Sequence, residues 1–173
     1  MKFRFCILFL AASGLCGALA SHAAAARQKD YLSAIEADKI RDAETPNERI
    51  TLFLSFADDR LKKLQYELDH PSQVNHNEMI NSLLNAYVGC VDDAADLIQL
   101  GIEKQQNIRK AINLMASKTK EYILVLQKIP TTSPDADMYK ENLEDAIEGT
   151  QDASREAEAA KKNVAPPPVR RKN

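Results

Sequence analysis

The feature that most constrains this chain is the spacing of its apolar residues, which recur three and four apart through most of the sequence. That spacing gathers side chains on one face of a helix, whereas a strand needs alternation at every second residue. Ile50, Leu54, Ala57, Leu61, Leu64 and Leu68 make a first stripe. Ile80, Leu84, Tyr87, Val91, Ala94 and Ile98 make a second, widened by Leu83, Cys90 and Leu97 until it must touch more than one neighbour. Ile108, Ile112, Met115, Thr119, Tyr122, Leu126 and Ile129 follow, then Tyr139, Leu143, Ala146, Thr150, Ala153, Ala157 and Ala160. The last stripe is mostly alanine, so it buries little and its end is expected to fray. With no tryptophan and only 6% aromatic residues, the core falls to Leu, Ile, Val and Ala. The pattern predicts an all-α fold, an antiparallel helical bundle of about four long helices plus a short N-terminal helix.

Capping residues divide the stripes. Ser33-Ala34-Ile35-Glu36 has the form of a capping box and predicts a short helix reaching about Ala43. Thr45-Pro46-Asn47-Glu48 is a stronger one, because proline at the first helical position needs no donor. The helix it opens runs to about Asp69. Leu52 and Phe56 add a second stripe there, which the short helix is expected to cover. His70-Pro71 ends that helix, since the residue before a proline is pushed out of the α region, and residues 72–77 form a polar loop. Ser133-Pro134 marks the start of the last helix.

Two readings stand at Gly101. Leu97 followed by Gly101-Ile102 fits a glycine helix stop. The heptad phase nevertheless runs unbroken through Gly101 and Gln105 into Ile108, which fits one very long central helix. Charge favours the break. Residues 77–103 carry −5, residues 104–128 carry +5 and residues 135–158 carry −7. In an up-down-up-down bundle the basic helix would lie beside both acidic ones, and four helices of about 24 to 30 residues would match in length.

The two ends read differently from this body. Lys2 and Arg4 precede an apolar run over residues 5–19, then small residues in the order Ala18-Leu19-Ala20 and Ser21-His22-Ala23. That order is a secretory signal peptide over residues 1–26, and the apolar run falls short of the roughly 20 residues a membrane-spanning helix needs. Leu15 stands where a lipid-attachment cysteine at Cys16 would require a small residue. Removal of the leader leaves a helical domain over residues 27–163 with a net charge of −4, and the protein is expected to be periplasmic or extracellular. Cys90 would be its one cysteine, so packing alone must stabilise it. Residues 164–173, with Pro166-Pro167-Pro168 and Arg170, Arg171 and Lys172, predict a disordered Pro-rich basic tail.

Little in the helical domain points to chemistry. His70 and His76 both border one loop, a poor platform for a catalytic triad, and no nucleophile elbow, phosphate loop or zinc-protease motif is present. No catalytic, cofactor-binding or metal site is assigned, and the chain is read as not an enzyme. Glu67-Leu68-Asp69-His70 has the Glu-x-x-His spacing of di-iron bundles, but a second copy is missing. Glu67, His70, His76 and Glu78 remain as donors for a surface Zn²⁺ or Cu²⁺. Haem attachment lacks its C-x-x-C-H, and Met115 sits as core filler. The basic residues Arg109, Lys110, Lys118, Lys120 and Lys128 are expected to be neutralised by acidic helices, and the weakly acidic net charge does not suit a nucleic-acid binder. The tail offers at most weak contact with membrane or anionic polymer.

The wide apolar stripes and missing chemistry point to an exported, non-catalytic interaction protein. It would be a scaffold, adaptor or chaperone-like binder with a protein partner or as a homodimer. The alternative is a metal- or redox-sensing envelope protein using the His70/His76 loop or Cys90.

Overall fold

The computed structural model describes residues 31–131 and 135–163. The predicted leader over residues 1–26, the tail over 164–173 and the Ser133-Pro134 start signal lie outside the described residues. Among the described residues the fold has five helices, α1 (Ala34–Asp42), α2 (Pro46–Asp69), α3 (His76–Glu103), α4 (Arg109–Leu126) and α5 (Lys140–Asn163), with a 3-10 turn at Ala136–Met138 ahead of α5. No strand occurs among the described residues.

Both capping boxes form as the sequence predicts. Ser33 Oγ accepts from Glu36 N–H at 3.3 Å while Ser33 N–H donates to Glu36 Oε2 at 2.9 Å. Thr45 and Glu48 repeat the exchange at 3.2 Å each way. Each satisfies backbone donors that the first helical turn leaves without partners.

The apolar stripes meet in one core. Ile50, Leu54, Leu64, Ile80, Leu84, Tyr87, Ile112, Met115, Tyr122, Leu126 and Leu143 are almost wholly buried there. α3 packs along α2 on one flank and α5 on the other, which accounts for the width of its stripe. α4 packs along α5 and, over a shorter stretch, against α2. Phe56 is buried and Leu52 half-buried where α1 lies on α2.

Three expectations are corrected. The chain does break between the second and third long helices, which removes the single long central helix, but Gly101 is not the stop. α3 continues to Glu103 and ends in a Schellman motif: Gln106 N–H donates to Gly101 O at 2.8 Å, Gln105 N–H donates to Ile102 O at 3.0 Å, and Gln105 takes the left-handed position with φ 52°. Gly101 serves close packing instead, since a Cβ there would lie 2.8 Å from Ile108 Cδ1. Second, α5 begins at Lys140 rather than at the Ser133-Pro134 signal, and α4 is only 18 residues long, short of the matched lengths expected.

Third, the basic helix does not lie between the two acidic ones. α3 and α4 meet only marginally, whereas the acidic α3 and α5 lie side by side. The residue pairs Asn81–Asn142 and Tyr87–Thr150 show α3 and α5 running parallel. The pairs Asn47–Ala111 and Asp58–Lys118 show the same for α2 and α4. The bundle is therefore two antiparallel hairpins, α2–α3 and α4–α5, laid together. The charges sit mostly on solvent faces, where pairing is worth little, and buried apolar area chooses the neighbours.

Candidate functional site

The polar side chains inside the bundle are structural. Tyr87 and Tyr122 meet edge to face at 5.6 Å. Tyr122 Oη donates to Leu54 O at 2.8 Å, and Tyr87 Oη bonds Thr150 Oγ1 at 2.7 Å. Thr150 in turn donates to Ala146 O at 2.6 Å, which makes Tyr87 the donor in the pair. Burial raises the pKa of both phenols, so they stay neutral and act as hydrogen-bond groups.

The residues singled out for metal or redox chemistry separate into two places. At the α2–α3 turn, Glu67 Oε1 accepts from His76 Nδ1 at 2.7 Å and from Ser72 N–H at 2.9 Å, while Oε2 accepts from Ser72 Oγ at 2.8 Å. The hydrogen bond from His76, then those from Ser72, lower the Glu67 pKa. His70 turns away, stacking on Tyr66 at 4.5 Å with Nδ1 3.2 Å from Tyr66 O. Among the described residues no group of three or more His, Cys, Asp or Glu side chains is placed to hold a metal ion. Cys90 of α3 is fully buried.

Two of the basic residues of α4 pair with different neighbours. Lys118 pairs with Asp58 of α2 at 3.1 Å and with Glu121 at 3.2 Å, and the Asp58 contact leads the causes that raise its pKa. Lys120 pairs with Glu158 of α5 at 2.6 Å, which lowers the Glu158 pKa. Lys110 lines an open groove of about 710 Å³ with Lys39, Asp42 and Glu48, between the ends of α1, α2 and α4.

Exposed apolar side chains occur at several places, Ile35, Leu100 and Leu124 among them, and four lie toward one end of the bundle. Tyr66, Val74, Met79 and Met138 are all exposed, Tyr66 at 65% and Met138 at 64%. Tyr66 and Met79 share a groove of about 330 Å³ with Leu83 and the stems of Lys62 and Lys63. Met138 belongs to the same end, because its carbonyl accepts from Asn81 on the second turn of α3 at 2.9 Å. The stripes did not mark these four: Tyr66, Met79 and Met138 fall beside a stripe rather than in it, and Val74 stands in the loop between α2 and α3. No helix among the described residues is long and apolar enough to cross a membrane. No family model, curated protein or solved structure shows significant similarity to the chain.

Proposed function

We propose that this is an exported, non-catalytic helical protein that works by binding another protein, as a scaffold, adaptor or chaperone-like binder. The observation that carries the reading is the set of exposed apolar side chains at the α2–α3 end, Tyr66 and Met79 on their groove with Val74 and Met138 nearby. Large apolar groups left in water after the core has formed favour a contact that buries them. The wide stripe of α3, which suggested a binding face from sequence, lends no further support, because the core consumes it. Export rests on the leader-like order of residues 1–26.

The test is binding of an anilinonaphthalene sulfonate dye to the folded chain, compared with a Tyr66→Ser, Met79→Ser double variant of equal helicity. The dye should fluoresce with the parent and lose at least about half of that signal with the variant. Signal no greater than a well-packed control protein gives, or a signal indifferent to the substitutions, would remove the reading. The metal- or redox-sensing alternative draws less support, since Glu67 and His76 are committed to each other, His70 to Tyr66, and Cys90 to the interior.

A further inference from the structure

α2 carries a second line of side chains that starts apolar, with Leu52 and Phe56, and runs on at the same four- and three-residue spacing through Asp59 and Lys63 to Tyr66. α1 covers only the first half of it. It has nine residues against the 24 of α2, about 14 Å against about 36 Å at the rise of a helix. Leu32, just ahead of α1, is buried against the core. Arg60 of α2 donates to Tyr31 O at 3.0 Å and to both oxygens of Glu36 at 2.5 and 2.7 Å. The α2–α3 hairpin therefore already holds one short helix, by apolar burial and by a carboxylate set on a cation of α2.

Beyond Arg60 the line is bare. Tyr66 is 65% exposed and Met79 of α3 is 46% exposed, and with Leu83 they line the groove of about 330 Å³. The free charge beside them is basic. Lys62 has no ion pair among the described residues, and Lys63 meets Asp59 at 2.7 Å in a largely solvated pair that is worth little. Glu67, which also lines the groove, already accepts from His76 and Ser72. The four residues ahead of Tyr31 are Arg27, Gln28, Lys29 and Asp30, which bring no apolar side chain and two more cations. They do not suit this groove.

We propose that the bare half of the line is the docking site of an amphipathic helix from another protein, one with acidic residues beside its apolar face. The inference rests on the reading of this end as a protein-binding surface and adds the chemistry of the partner. Apolar side chains one turn apart would cover Tyr66, Met79 and Leu83, and flanking carboxylates would meet Lys62 and Lys63 as Glu36 meets Arg60. A helix suits the place better than an extended peptide. It satisfies its own backbone, whereas a strand would find no sheet edge to pair with.

Fluorescence anisotropy of labelled model peptides on the folded chain tests this. The first is an amphipathic helix of about fourteen residues, with leucines three and four apart and glutamates on both sides of them. A second has lysine for every glutamate, and a third scatters the leucines round the helix. The acidic peptide should bind about tenfold more tightly than the basic one, and added salt should narrow the gap. Lys62→Glu, Lys63→Glu should reverse that preference. Tyr66→Ser, Met79→Ser at equal helicity should weaken binding about tenfold.

Equal binding of acidic and basic peptides, or binding indifferent to the lysine substitutions, overturns the acidic partner and leaves the protein-binding reading in place. No peptide binding while the dye still responds to Tyr66 and Met79 does the same. Loss of that dye response removes both. A dimer at assay concentration that Tyr66→Ser, Met79→Ser dissolves would give the groove to a second copy. Binding that appears only after removal of residues 1–30 would give it to the chain's own N-terminal segment. Either result overturns the proposal.

Discussion

Asn47→Ala should destabilise the bundle by about 1.5 kcal/mol, although Asn47 lies in the first turn of α2 and its effect falls on α4. The residue before α4 is Ile108, which has no side-chain oxygen to cap the helix. Asn47 supplies the cap from 64 positions away: Oδ1 accepts from Ala111 N–H at 3.0 Å, and Nδ2 donates to Asn107 O at 2.6 Å. Loss of a cap costs about 1 kcal/mol and loss of the second hydrogen bond a further 0.5 to 1.5, roughly. Alanine returns about 0.5 kcal/mol as the better helix former in α2. The Thr45–Glu48 capping box is untouched, so α2 itself stays closed at its start. Urea unfolding followed by far-ultraviolet circular dichroism reads the change as a lower midpoint at constant slope. Asn47→Asp keeps the acceptor and places a negative charge at the start of α4, so its loss should be the smaller of the two. An alanine variant within about 0.5 kcal/mol of the parent, or an aspartate variant equally damaged, would refute a cap supplied across helices.

Three further outcomes follow from the same structure. Gln105→Gly should stabilise the chain by up to about 1 kcal/mol in thermal or urea unfolding, because the left-handed position at the end of α3 costs a side-chain residue and not glycine. Thr150→Val should cost about 1 to 3 kcal/mol by the same unfolding assay, since it leaves the buried Tyr87 hydroxyl without its acceptor. Glu36, whose pKa the Arg60 hydrogen bond draws down from 4.5 to about 2, contributes attachment that is present above pH 4.5 and lost as pH falls through about 2. Exchange protection of α1 should therefore decline as pH falls from about 4.5 through about 2.

Much of this architecture is legible in the sequence. The three- and four-residue spacing gives the helical class and most of the buried stripes from Ile50 to Ala160, since a side chain's helix face depends on its position in the turn. Leu68, Leu83 and Leu97 are nevertheless only partly buried, and the buried Phe53 falls outside the stripes. The capping boxes at Ser33 and Thr45 are equally readable, because donor and acceptor lie three residues apart. Of the candidate site, the sequence shows the loop and the pairing potential of Glu67 with a histidine. It does not show that the partner is His76 rather than His70, which the path of the turn after Pro71 decides.

Only the tertiary structure settled the rest, wherever one position answers to distant ones. Gly101 reads as a helix stop by local chemistry, yet its role is to admit Ile108, and Gln105 makes the turn. Summed charge placed the basic helix beside both acidic ones, but buried area outweighs exposed ion pairs and set α3 against α5. The α4 cap comes from α2, and the docking of α1 from a tyrosine, an aspartate and an arginine on three separate segments. Local interactions determine which residues become helix. Which helices meet is decided by apolar surface and buried hydrogen bonds that exist only once the helices are together.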